Sequence, residues 1–471
     1  MTEVNPRSVK IVIRWSLRRF QILLIALAAV HCSTRALGAE AVAGTVRDES
    51  RGSIAGARIV LTEESKGLIR ESETDSNGSF LFPSVTAGVY SLQAGKAGFT
   101  THQIDELTVE AGEVASVPIT LRVGDVHTVV LVSPPSSVEL DSDSNTTGAI
   151  VDSKRVQQLP LNGRDFLQLA LLAGGVLDLS PANNLSTANV GPPSRAVILP
   201  GTFPHSTGYS LNGLNLSGSR DGELAAGFSI AAIDQFVVQQ SFLMPDQGSG
   251  AGVVNIVTRS GSNQFHGEAF EFLRNRELDA RSFFASTTED LKRNQFGFAA
   301  GGPLRRNKVW FYGFYEGTRE LTAFSTAGFS PTEAMFGGDL AVTGHTIYDP
   351  ASYFPDSNSR TPFPNGAIPP ARINQVARNL LPYYLPGSSL AARPNNVFGN
   401  PRDTLDDNQG GLRVDAVPSP HHQLFLQLFT QSTPVDQPGL FPVSGMLYTN
   451  SSSIAMVQHT WWMSPRAVNS L

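Results

Sequence analysis

The rhythm of apolar and polar positions changes three times along the chain. Between Glu40 and Arg122 the apolar positions come in short alternating runs broken by turn residues. "AVAGTVRDES" and "ARIVLTEES" read as strands separated by the glycine-bounded "RGSIAG". "SETDSNGSFLFPSV" predicts a hairpin about an Asn77-Gly78 turn. "AGVYSLQAGKAGF" and "EVASVPITLRV" supply further strands, and about seven strands in a block of this size imply a β-sandwich. Next, "VGDVHTVVLVSPPSSVELDSDSNTTGAI" holds one short apolar strand, closed by Pro134 and Pro135 and followed by Ser and Asp. Such a strand is either a loop crossing between domains or a strand offered to a partner's sheet edge.

From Ala149 to Gly261 the pattern is mixed α/β. Asp152 is placed to cap a short helix that must stop before Pro160. "GRDFLQLALLAGG" sets apolar residues at Phe166, Leu167, Leu169, Leu171 and Leu172 ahead of a glycine stop at Gly174, a helical spacing. "YSLNGLNLSG" and "FVVQQSF" read as strands, with a helical turn in "SIAAIDQF". The stretch "GSGAGVVNIVTRSGSNQFHGEAFEF" (248–272) then changes character midway, from a glycine-led apolar run to one alternating with His266, Glu268 and Glu271. The first half reads as a strand apolar on both faces, the second as a strand wet on one side. Beyond Asn263 only "RINQVARNLL" looks helical. Six segments alternate over about ten residues with aromatics near their ends, the pattern of a transmembrane β-barrel. They are "QFHGEAFEFLRN", "LKRNQFGFAAGG", "NKVWFYGFYEGTRE", "DNQGGLRVDAVP", "HHQLFLQLFTQS" and "SSIAMVQHTWWMSP". A soluble sandwich also alternates. The tight "GGPLRRNK" turn and the long Pro-, Gly- and Asn-rich insertion between Glu320 and Asp406 favour the barrel, whose turns are short on one side and long on the other.

The N-terminus adds export. Lys10, Arg14, Arg18 and Arg19 precede the apolar "FQILLIALAAV", too short to span a bilayer as a helix, and small residues follow near Gly38 to Ala43. This is the pattern of a secretory signal peptide. The single cysteine, Cys32, lies inside it, so the mature chain is expected to use neither disulfides nor thiolates. Charged residues make up 16% and the net charge is -6, which excludes the basic face a nucleic-acid binder needs.

Several stretches carry a resemblance. "GTVRDESRGSIAGARIVLTEES" and "TDSNGSFLFPSVTAGVYSLQAGKAGF" resemble the carboxypeptidase regulatory-like domain, a transthyretin-like sandwich that is not catalytic. "LPLNGRDFLQLALLAGGV", "AIDQFVVQQSFLMPDQGSGAGVVNIVTRSGSNQFHGEAFEFLRN", "NQFGFAAGGPLRRNKVWFYGFYEGTRE" and "PFPNGAIPPARI" resemble the Oar-like group of TonB-dependent outer-membrane transporters. The resemblance implies a mainly β chain. It comprises a signal peptide (1–39), a transthyretin/Ig-like sandwich (40–123) and a linker (124–148). A small α/β plug domain (149–261) and the first strands of an incomplete antiparallel transmembrane barrel (262–471) follow. It implies TonB as the periplasmic partner, binding a short strand before the plug, for which Thr128, Val129, Val130, Leu131 and Val132 are the candidate. Leu161, Asn162, Gly163 and Arg164 match the plug's opening motif. Gly252, Val253, Val254, Asn255, Thr258, Ser260 and Gly261 match the junction of plug and barrel.

The residues after Ser262 are too few for the 22 strands such a barrel implies. An open sheet edge is not viable in hydrocarbon, and a small closed barrel could not hold a plug. The expectation is therefore a transporter fragment that forms no working pore alone. The expected location is the outer membrane, with the sandwich in the periplasm, outer-membrane lipid around the strands and a large saccharide or peptide as ligand. The alternative is a surface adhesin or binding module built on the sandwich. No nucleophile elbow, P-loop or zinc-protease motif is present. His421 and His422 are adjacent and point to opposite faces of a strand. No catalytic, metal or cofactor residues are assigned.

Overall fold

The computed structural model describes residues 41–111, 114–124, 129–132, 147–178, 196–203, 206–218, 222, 224–240, 252–280, 290–323, 326–384, 395–441, 444–464 and 467–471. The signal segment and Thr128 lie outside these.

The N-terminal block is a two-layer sandwich. Its seven strands are β1 (Ala41–Asp48), β2 (Arg58–Glu63), β3 (Leu68–Glu73), β4 (Ser79–Pro83), β5 (Gly88–Gly95), β6 (Thr101–Val109) and β7 (Val114–Leu121). One sheet runs β4-β1-β7. The other runs β3-β2-β5-β6 and is extended by β8 (Val129–Val132). Alternation builds the core: Val42, Val46, Phe80 and Phe82 from one sheet meet Ile59, Leu61, Tyr90 and Leu92 from the other, all buried. The expected Asn77-Gly78 hairpin does not form, because β3 pairs with β2 while β4 pairs with β1. Instead the Asp75 carboxylate accepts from the amides of Asn77 and Ser79, and Gly78 takes φ 75°. This Asx-type turn carries the chain from one layer to the other.

The central domain is built on a five-stranded sheet, β13-β12-β15-β14-β9. Its strands are β9 (Thr147–Val151), β12 (Gly208–Leu211), β13 (Leu214–Asn215), β14 (Ile233–Gln240) and β15 (Gly252–Thr258). A two-stranded ribbon, β10 (Leu177–Asp178) and β11 (Val197–Ile198), stands beside them. The helix α1 (Ser153–Gln158) is capped by Asp152, whose carboxylate accepts from the Arg155 amide, and it ends before Pro160. The second apolar run folds as a 3-10 segment, Phe166–Leu172. Its tighter pitch buries Phe166, Leu167 and Leu169 and leaves Leu171 and Leu172 exposed. β15 lies between β12 and β14, which is why Val253, Val254 and Ile256 are all buried.

The third body is a seven-stranded antiparallel sheet in sequence order. Its strands are β16 (His266–Asn275), β17 (Leu291–Arg305), β18 (Val309–Ala323), β21 (Arg402–Ser419), β22 (His422–Pro438), β23 (Gly445–Ser464) and β24 (Ala467–Ser470). A small ribbon, β19 (Thr326–Gly328) with β20 (Val397–Gly399), sits in the long insertion. The strands are longer than the ten or so residues expected. Five have 15 to 20 residues, and at ~3.4 Å per residue a twenty-residue strand is roughly 65 Å long. That is about twice the roughly 30 Å that crossing a hydrocarbon layer would require. The two faces separate by parity. On β22, Phe425, Gln427, Phe429, Gln431 and Thr433 are buried, with Gln427, Phe429 and Gln431 in contact with the central domain, while Leu424 faces outward and is exposed.

Candidate functional site

The candidate motif Leu161–Arg164 forms a tight 3-10 turn against the inner face of the wall. Gly163 has φ 66° and Arg164 φ 56°, a left-handed pair that turns the arginine side chain toward the strands. The Arg164 guanidinium lies over the rings of Phe270 (4.4 Å) and Phe272 (4.6 Å) and is 3.7 Å from the Glu316 carboxylate. Glu316 also accepts from Ser229 Oγ at 2.5 Å. Gln295 Nε2 donates to the Gly163 carbonyl at 3.0 Å. Asn162 is braced within its own turn by Gln168, and Leu161 packs on the domain core.

The junction residues meet the wall elsewhere. Arg413 makes a two-pronged pair with Asp415, both contacts at 2.9 Å, and its remaining nitrogen donates to Thr258 O (2.8 Å) and Thr258 Oγ1 (3.0 Å). Asn212 couples the same threonine to Gln427 at 2.6 Å. Asn255 bonds Ser210 within the sheet. Gly252 has no room for a side chain, since a Cβ there would lie 2.2 Å from Leu199. A Cβ on Gly261 would lie 2.3 Å from the Phe311 carbonyl, so the chain leaves the domain pressed against the wall backbone. Val253 and Val254 serve the core, and Ser260 sits between Arg259 and that close approach. Further contacts complete the seat: Gln431 Oε1 accepts from the Gly227 amide, and Tyr312 OH donates to the Ala231 carbonyl. Burial raises the Asp234 carboxyl above its ordinary value, opposed by Arg259, Arg413 and Lys66.

The sandwich is fastened to the turn end of the wall through Asn263. Its amide donates to Ser65 O, its Nδ2 to Lys66 O (2.7 Å) and Asn307 Oδ1 (2.6 Å), and its Oδ1 accepts from Trp310 Nε1 (3.0 Å). Trp462 Nε1 donates to Pro83 O, and Arg70 lies 4.6 Å from the Trp462 ring. Burial lowers the Arg70 guanidinium to about 10. Val129–Val132 is paired with the sandwich's own β6.

Residues 41–122 match the carboxypeptidase regulatory-like domain, and residues 257–471 match an outer membrane beta barrel domain. The TonB-dependent transporter Oar of Myxococcus xanthus is 27% identical over 330 residues, covering 64% of this chain. The chain is a homologue of the TonB-dependent transporters. This transporter homologue is an outer-membrane protein, and it spans 29% of the length of that curated relative. Among solved structures, a ferric enterobactin receptor from Pseudomonas aeruginosa has TM-score 0.38 at 12% identity, covering 67% of this chain and 38% of its own. The siderophore receptor PirA of Acinetobacter baumannii has TM-score 0.31 at 16% identity, covering 66% and 44%.

The sequence motifs supply only one side of the homologue's interface. Glu316, Gln295, Arg413, Asp415, Gln427 and Gln431 come from the wall, and Asn263 fixes the sandwich. The usable signal was parity: Arg413 and Asp415, or Gln427 and Gln431, share a face with buried aromatics rather than with the outward leucines. Among the described residues no group of three or more His, Cys, Asp or Glu is gathered as a metal cage. No described helix is long and apolar enough to cross a membrane, which says nothing of strands.

Proposed function

We infer that this chain serves in an outer-membrane receptor for energy-coupled uptake of a large ligand of the saccharide or peptide class. In this reading the central domain is the plug, and Thr128–Val132 is the strand that TonB engages. The sandwich sits at the periplasmic mouth. The observation that carries the reading is the chemistry of the domain–wall contact. Beside an apolar contact, where Phe228 lies on Phe429 and Ala231 packs with Ala299 and Tyr312, the central domain meets the wall through side-chain hydrogen bonds and the Arg164–Glu316 contact. A purely apolar seat would weld the two together. A polar one can exchange its partners for water as the domain shifts, because a net hydrogen bond contributes only about 1 kcal/mol once water competes. The Myxococcus xanthus relative is a TonB-dependent transporter, which supports the coupling assignment.

The test is uptake by cells producing the full-length protein with residues 128–132 replaced by Gly and Ser. Energy-dependent uptake is expected to vanish while surface binding of ligand persists. Unchanged uptake would reject the coupling strand, and lost surface binding with intact uptake would reject the receptor reading.

A further inference from the structure

The sandwich stands end-on against the other two bodies. β2, β4 and β6 all finish at one end of it, and each finish meets a neighbour. Past β2, Ser65 O and Lys66 O accept from Asn263 at the entry to the wall. At the last residue of β4, Pro83 O accepts from Trp462 Nε1 (3.1 Å) and from the sandwich's own Arg70 (2.8 Å). Past β6, the buried Ala111 amide donates to Gln235 Oε1 at 3.0 Å, and Gln235 belongs to β14 of the central domain. The two wall contacts are well separated. Asn263 is bonded to Trp310 on β18, Trp462 is on β23, and β21 and β22 run between them. The sandwich thus spans the turn end of the wall and touches the central domain on the way.

The point it touches is irregular. The pairing of β14 with β15 shifts between Ile233 and Gln235, so Asp234 is an extra residue there, and such a bulge re-aims the side chains around it. Gln235 receives Ala111, and the Asp234 carboxylate lies in the field of Lys66 from the sandwich. Lys66 is paired with Glu63 at 3.1 Å and lies 5.9 Å from the Trp310 ring. Their side chains are only 4% and 6% exposed, although they flank a turn at the end of a sheet, where a free sandwich would leave them in water. Docking therefore dehydrates a charge pair. Desolvation offsets the attraction within such a pair. What holds the dock is a handful of hydrogen bonds that water can replace.

We propose that the sandwich is a clasp, planted on the wall at two places and on the central domain at a third, which must lift before the central domain can open at the Asp234 bulge. This goes beyond the reading above and depends on neither the ligand nor the coupling strand. It gives the regulatory-like domain a task, which is to hold the central domain shut at rest. With the clasp down, Gln235 is buried and its amide oxygen is taken. With the clasp up, Ala111 and Lys66 leave together, and water reaches the start of β14.

Hydrogen exchange of the full-length protein in outer-membrane vesicles tests this. The Ala111 amide reports docking, segments 233–240 and 252–259 report the central domain, and β5 reports the sandwich's own fold. Asn263→Ala alters neither the sandwich nor the central domain, and it removes the side-chain bonds to Lys66, Asn307 and Trp310. Exchange at Ala111 is expected to rise about tenfold, and in both central segments by the same factor, with β5 unchanged. Lys66→Met strands Glu63 in the contact and should act in the same direction. Glu63→Gln/Lys66→Met removes both charges and should return Ala111 and the central segments together to within about threefold of the parent. A rise at Ala111 with the central segments unchanged would overturn the proposal. So would a rise in those segments with Ala111 still protected, or no rise at Ala111 in either single variant.

Discussion

Replacing Arg413 by methionine removes the group that both neutralises Asp415 and grips the end of β15. Asp415 is 1% exposed and has its two oxygens on the guanidinium, so the substitution leaves a carboxylate buried without a cation. Breaking a buried pair on one side costs about 3–5 kcal/mol. The lost bonds to Thr258 add roughly 1 kcal/mol each. Removing Asp415 as well, in Arg413→Met/Asp415→Leu, eliminates the stranded charge and leaves only the Thr258 contribution of about 1–2 kcal/mol. The readout is a cysteine at Val254, fully buried on β15, whose labelling by a maleimide reports opening of the central domain in urea, with Cys32 replaced by serine. Arg413→Met is expected to raise the opening equilibrium by about four to five powers of ten, at about 1.4 kcal/mol each, and the double variant by about one. A single substitution costing under about 1 kcal/mol, or a double variant no better than the single, would refute the claim that the wall holds β15 through a buried charge pair.

Gly261→Ala puts a methyl group against the Phe311 and Gly302 carbonyls, which cannot move independently of the sheet. A cost of about 1–3 kcal/mol is expected in the same labelling assay. Asn263→Ala strips the side-chain bonds to Lys66, Asn307 and Trp310, and should speed tryptic release of residues 41–122 by at least tenfold. Burial alone lowers the His102 imidazole below its ordinary 6.5. The unfolded sandwich therefore binds more protons near that pH, so its stability is full above 6.5 and declines as pH falls below it. Hydrogen exchange of β6 amides, corrected for intrinsic rates, should rise between pH 7.5 and 5.5, and His102→Gln should flatten the change.

Local patterns were legible where one rule governs them. Asp152 capping α1, the parity of β22 and the two-sided burial of β15 follow from spacing and side-chain type alone. What was hidden depends on pairing across distance. Asn77-Gly78 carries a hairpin signature, yet the partner strands belong to different sheets, a choice made by β1 and β2. Phe166–Leu172 has helical spacing, but only Phe166, Leu167, Leu169 and Ala170 are buried, and the segment winds as a tighter turn that leaves Leu171 and Leu172 exposed. Adjacent His421 and His422 cannot share a ligand, and the register instead brings His422 to 3.0 Å from His459 on the next strand. Likewise Arg164 was readable as a motif, but its partners Phe270, Phe272 and Glu316 lie some hundred or more positions away in the chain.

The position of β9 determines where load would enter the central domain. It is the outermost strand of its sheet and the first to follow β8 in the chain, so tension delivered through residues 133–146 arrives first at Thr147, opposite Gln240. β9 has a single neighbour, β14, across five rungs from Thr147 to Val151. Its departure would leave the remaining four strands in register and strip cover from Phe236 and Val238. A segment held along one edge only, over five rungs, is the part of the sheet that would yield first under load, before the four strands behind it.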